Sequence, residues 1–172
     1  MEKPLEVLVG EMLRSRNLKL VVAESCTGGL IGHRLTNIPG SSDYYLGSIT
    51  AYAYEAKRAL LGVHAKTLEK FGAVSRQTVL EMALGVRKSL AGEFPLEQLV
   101  GISVSGIAGP GGATPDKPVG LIWVGMSSAE GDWAWKLQWH GTRIENKELT
   151  AQEALLLLYE FLEGNPRPET LP

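Results

Sequence analysis

The chain predicts an α/β protein, a three-layer sandwich with a mixed, mostly parallel sheet flanked by helices. Three observations carry that expectation. Leu18–Ala23 and Leu99–Val104 are short, largely apolar, β-branched runs of the kind that form buried strands. Segments with helical spacing stand before, between and after them, an alternation that favours helices layered on a sheet. Each run empties into a glycine-rich segment, and ligands in open α/β sheets usually sit beyond the carboxyl ends of strands.

Taken in order, Leu5, Leu8, Val9 and Met12 recur at three- and four-residue steps and predict an amphipathic helix. After the first strand, a helix is expected from Leu30 to about Leu35, and Pro39-Gly40 marks a break. Leu46–Tyr52 reads as a strand and Tyr54–Leu61, rich in helix formers, as a short helix. Ser75 is a good N-cap for a helix burying Val79, Met82, Ala83, Val86 and Leu90. Val119–Met126 and Trp133–His140 read as adjacent strands, the second alternating in period two and therefore expected at a sheet edge. Asn146–Leu162 predicts a final helix with leucines nearly all round, hence well buried, and the three prolines of residues 164–172 predict a loose tail.

The composition narrows the function classes. A chain of 172 residues suits one domain, here expected over 1–163, and can bury a core without staples. Lys and Arg number 17 against 19 Asp and Glu, a formal net charge of −2, which argues against a wide footprint for nucleic acid. One cysteine, Cys26, forms neither an internal disulfide nor a cysteine-based zinc site. His33, His64 and His140 have no metal spacing, so no metal or cofactor is expected. The opening MEKPLEVLVG carries acids and a proline where a signal peptide has a basic end and an apolar run. No stretch approaches the roughly 18 apolar residues of a membrane span, so a cytoplasmic protein without membrane contacts is expected.

Two loops hold the candidate chemistry. Thr27-Gly28-Gly29 leads into a helix, whose free N–H groups and dipole favour an anion. Gly106–Gly112 lets main chain approach a ligand closely. Neither matches a P-loop or a G-x-G-x-x-G fingerprint, and both are also compatible with plain tight turns. Ser25, between a buried strand and Gly28-Gly29, stands where a nucleophile would, with N–H donors nearby for an oxyanion; the alternative is a helix cap. Cys26 beside it is a second nucleophile candidate or buried filler. Lys57 is a candidate base, which requires burial to strip its proton near neutral pH; the alternative is a solvated helix lysine.

Ala23-Glu-Ser-Cys-Thr-Gly-Gly29, Ser105-Gly-Ile-Ala-Gly-Pro-Gly-Gly112 and Lys117-Pro-Val-Gly120 resemble the signature blocks of the CinA C-terminal domain family, which includes stand-alone nicotinamide mononucleotide (NMN) deamidases. The resemblance runs over about residues 5–162. It implies hydrolysis of the NMN carboxamide to nicotinate mononucleotide and ammonia, without metal, by a serine nucleophile and a lysine base. By motif position these are Ser25 and Lys57, with Tyr52 relaying or orienting the proton. The amides of Cys26, Thr27, Gly28 and Gly29 would hold the oxyanion. Ser105, Gly106, Ala108 and Gly109 would contribute to the substrate pocket, and Arg143 would grip the phosphate. A further basic position is Lys147. The family's Tyr-Ser-Asn reads here Tyr52-Ala53-Tyr54, and its Gly-Asp-Arg reads Gly141-Thr142-Arg143. The resemblance also implies a homodimer, and leaves open two alternatives: action on a different amide, or a non-catalytic binding module linked to competence or DNA damage.

Overall fold

A computed structural model describes residues 3–171. Six helices and five strands follow one another as α1 Leu5–Ser15, β1 Lys19–Glu24, α2 Leu30–Thr36, β2 Tyr45–Thr50, α3 Tyr54–Leu61, α4 Ala65–Phe71, α5 Arg76–Lys88, β3 Leu99–Gly106, β4 Leu121–Ser128, β5 Gly131–Gln138 and α6 Arg143–Leu162. The strands form one mixed sheet in the order β2-β1-β3-β4-β5. β1 pairs in parallel with β2 and β3, and β4 and β5 extend the sheet antiparallel from β3.

Period-two geometry divides each buried strand between two cores, which explains why β1 and β3 are apolar without alternation. Leu20 and Val22 of β1 point to the side covered by α1, α2 and α6, with Leu155, Leu158 and Phe161. Val21 and Ala23 point to the other, with Leu61, Met82 and Val86 from α3 and α5. The result is the expected three-layer sandwich. α5 lies close to the sheet because Gly101 and Gly125 carry no side chain beneath it: a Cβ would stand 2.2 Å from Ala83 O and 2.5 Å from Val79 O, respectively. Its N-cap is Ser75, whose hydroxyl accepts from the Thr78 amide.

Several expectations are corrected. β2 stops at Thr50 rather than Tyr52, because the carbonyls of Ala51 and Tyr52 turn to the Lys57 ammonium. The helix α4, which buries only Leu68, has too short an apolar stripe to be legible in the sequence. α6 is not buried all round, since Ile144 and Leu149 near its start are exposed. Residues 164–171 are not loose. Arg167 O accepts from the Trp135 indole N–H at 3.1 Å, Thr170 N–H donates to Ala134 O at 2.9 Å, and Arg76 pairs with Glu169. These contacts cover the open edge of β5, where unpaired backbone groups would otherwise face water. Among the described residues, no helix is long and apolar enough to cross a membrane.

Candidate active site

The parallel strands β1 and β2 and the neighbouring β3 bring three segments together at their carboxyl ends. Ser25 follows β1 directly and is held beside β3 by donation from its N–H to Val104 O at 3.1 Å. Lys57 lies one turn into α3, which follows β2 after the short link Ala51–Ala53. The side chains of both are buried, with Lys57 only 1% exposed. Lys57 Nζ stands 2.8 Å from Ser25 Oγ, 2.9 Å from Ala51 O and 3.1 Å from Tyr52 O.

Among the described residues, no carboxylate pairs with this lysine. Burial, opposed by the nearby Cys26 thiol, lowers its pKa to about 8. A neutral amine has two N–H donors and one lone pair. As an ammonium Lys57 donates to all three oxygens; once neutral, its two donors stay with the carbonyls and its lone pair faces the Ser25 hydroxyl. That arrangement is what a general base requires of its geometry.

Cys26 is a different case. Its side chain belongs to the core on the α6 side, and burial pushes the thiol up to about 12. It therefore stays protonated near neutral pH and is not the nucleophile.

The loop is built around a residue that sequence reasoning missed. Glu24, the last residue of β1, is fully buried. Its Oε2 accepts from Thr27 Oγ1 at 2.7 Å and from the amides of Gly29 and Ile31, both at 3.1 Å. Its Oε1 accepts from Gly32 N–H at 2.9 Å. The carboxylate thus satisfies the orphan donors at the start of α2 and sits at the positive end of that helix. The anion expected there is the protein's own glutamate. This assigns the Thr27 hydroxyl and the Gly29 amide to holding the loop, and Gly28 N–H donates to Ser25 O. Among the described residues, only the amides of Cys26 and Thr27 remain without an acceptor in this loop. Gly29 caps α2 at φ +99°, which glycine adopts without strain.

The second glycine-rich loop meets α6. A cavity of about 360 Å³ is lined by Tyr52, Gly106, Ala108, Gly109 and Arg143, together with neighbouring loop residues. Ser105 lies within β3, buried, and does not line it. Arg143 donates to Gly109 O at 2.7 Å and to the Tyr52 hydroxyl at 2.8 Å. The phenol of Tyr52, expected to relay or orient the proton, is exposed and bound to Arg143, and Tyr52 meets Lys57 through its main-chain carbonyl.

One more residue escaped the sequence reading. Asn146 is fully buried and ties the loops together, donating to Ala108 O and Gly141 O and accepting from Gly141 N–H, each at 3.0 Å. An asparagine inside a helical stretch carries no signal of this unless its partners are known. Lys147, one turn after Arg143, comes close to the first loop: a Cβ on Gly28 would be 3.8 Å from its Nζ. Both departures from the family pattern have structural roles. Thr142 forms a capping box with Glu145 at the start of α6, where aspartate also serves as a cap. The Tyr54 hydroxyl turns away from Lys57 and accepts from Ala73 N–H at 3.2 Å.

Comparison with known proteins places this geometry. Residues 2–162 match the family model of the CinA C-terminal domain. A CinA-like protein of Salinibacter ruber is 50% identical over 151 residues, covering 88% of this chain and 35% of that protein. A putative competence-damage inducible protein of Halothermothrix orenii is 47% identical over 155 residues, covering 90% of this chain and 36% of that protein. The chain thus spans about a third of the length of these relatives. Among solved structures, the competence/damage inducible protein CihA of Agrobacterium tumefaciens superposes with a TM-score of 0.81 at 36% identity, over 95% of this chain and 99% of that one. The competence damage-inducible protein A of Klebsiella pneumoniae superposes at 0.85 with 31% identity, over 92% and 95%. With its fold and nearly its whole length matched, the chain belongs to the CinA C-terminal domain family.

Proposed function

We propose that the protein is an amidohydrolase that converts NMN to nicotinate mononucleotide and ammonia, with Ser25 as nucleophile and Lys57 as general base. The observation that carries this reading is the buried contact of 2.8 Å between Lys57 Nζ and Ser25 Oγ, on a lysine whose pKa falls to about 8. A serine hydroxyl is a weak nucleophile until a base takes its proton, and an ordinary lysine is protonated and of no use for this.

Neutral Lys57 accepts the Ser25 proton as Oγ adds to the carboxamide carbon. The N–H groups of Cys26 and Thr27 supply the donors to the developing oxyanion. Lys57 then passes the proton to the amide nitrogen as the C–N bond breaks, and ammonia leaves an acyl ester on Ser25. Water adds to the ester, its proton going to Lys57, and Ser25 departs taking that proton back, which restores the starting state. Arg143 and Lys147 are two cations one helical turn apart, suited to a phosphate in charge-assisted hydrogen bonds.

A changed substrate is disfavoured by Tyr54, because its phenol is committed to Ala73 and does not line the cavity of Tyr52 and Arg143. The competence-related names of relatives suggest a binding module instead. Against that, burying a lysine without a carboxylate costs stability that pure binding does not need. The test is ammonia release from NMN by purified protein beside Ser25→Ala. Release that disappears in the variant supports the proposal, and release retained by Ser25→Ala refutes it. A folded wild type that releases no ammonia refutes NMN as substrate.

A further inference from the structure

A second cavity, of about 670 Å³, lies apart from the one beside Tyr52 and Arg143, and the two share no lining residue. It lies between the start of α5, the strands β4 and β5, and Thr170 and Leu171. Its apolar lining includes Val74, Leu121 and Trp123. Four cationic side chains, Lys70, Arg76, Lys117 and Lys136, line it against one carboxylate, Asp116. Arg76 is paired with Glu169, so three lysines, of which Lys117 also donates to Phe71 O, stand against Asp116 in a chain whose formal net charge is −2. Such a local excess of positive charge is not the average property of this surface. Lys70 and Lys136 are exposed and have no carboxylate partner among the described residues, and the Arg76 Nε–H is buried without an acceptor. The Ser75 cap satisfies Thr78 N–H, and a helix start also favours negative charge nearby.

A concave site of this size with an apolar floor and a few convergent charged groups is the usual form of a small-molecule site. The floor suits a flat apolar ring, and the lysines suit a phosphate. We propose that the cleft between α5 and the β4–β5 hairpin is a second binding site, for a nucleoside phosphate whose base rests on the floor at Trp123 and whose phosphate is held by Lys70, Lys117 and Lys136. This site is independent of the amidohydrolase reading, since it uses none of the residues of Ser25, Lys57 and Arg143.

The test uses the full chain, with adenosine 5′-monophosphate, adenosine and inorganic phosphate as probes, in calorimetry and in tryptophan fluorescence, where Trp123 is the local reporter. The expected result is saturable binding of adenosine 5′-monophosphate at or below about 1 mM. Adenosine and phosphate alone should bind at least about tenfold more weakly, and added salt should weaken the complex. Lys70→Glu combined with Lys136→Glu should reduce affinity by about tenfold or more, and because both lysines are exposed the variant keeps its fold. Arg143→Ala should retain the component of the binding that the double lysine variant removes. The proposal is overturned by absence of saturable binding, by equal affinity in the double lysine variant, by loss of binding in Arg143→Ala, or by phosphate binding as tightly as the nucleotide.

Discussion

Glu24→Gln is the substitution that most sharply tests how the nucleophile loop is built. Oε2 of Glu24 accepts three hydrogen bonds, and Oε1 accepts one from Gly32 N–H and a longer one, 3.4 Å, from the Ser48 hydroxyl, on a fully buried side chain. Glutamine is nearly isosteric and keeps one oxygen. If that oxygen takes the three-donor position, the new NH2 faces the Gly32 N–H, donor against donor. One buried donor is then left unmet, at about 1–3 kcal/mol. The three surviving bonds lose their charge assistance, which roughly halves each and adds about 2 kcal/mol. The sum, about 3–5 kcal/mol, is a large share of the roughly 5–15 kcal/mol that holds a typical domain together. Urea denaturation followed by tryptophan fluorescence reads this directly, provided the slope is unchanged. A loss below about 1 kcal/mol would refute the claim that the carboxylate organises the start of α2.

Further outcomes follow from the same geometry. The reaction requires neutral Lys57, so log(kcat/KM) should fall with unit slope as pH drops below about 8 and level off above it. A limb near the ordinary lysine value would make Lys57 structural. Asn146→Ala removes three hydrogen bonds between the glycine-rich loop and the start of α6, and should cost about 2–4 kcal/mol in thermal or urea unfolding. Arg143→Ala should lower kcat/KM for NMN by about ten- to a hundredfold, mostly through KM, if the guanidinium holds phosphate. Tyr54→Phe releases only one half-exposed bond to Ala73 and should leave turnover near that of the wild type.

Much of the fold was legible because the buried elements carry strong patterns. β1 and β3 are apolar on both faces, α5 has a clean stripe behind a serine cap, and the tryptophan strand alternates as an edge does. The exceptions are physical. α4 buries one leucine, and the tail is held by long-range bonds to Trp135 and Ala134 that no local pattern encodes. The candidate site divides in the same way. Motif position pointed to Ser25 and Lys57, and the structure brings them into contact. The residues that hold the site in place were not visible, because Glu24 and Asn146 act through partners that fold back from several residues to several dozen residues along the chain. Motif position places Tyr52 near the proton path, but not the contact of its phenol with Arg143, which comes from 91 residues along the chain.

The claim on which the account turns is that Lys57, its pKa lowered by burial to about 8, activates Ser25 in its neutral form. Labelling by a serine-directed fluorophosphonate, followed by intact mass and peptide mapping across a pH series, measures this without assuming any substrate. The account predicts a single adduct on Ser25 whose rate of formation rises through a limb near pH 8, is absent in Ser25→Ala and collapses in Lys57→Met. Labelling that is independent of pH, or that persists in Lys57→Met, would contradict it.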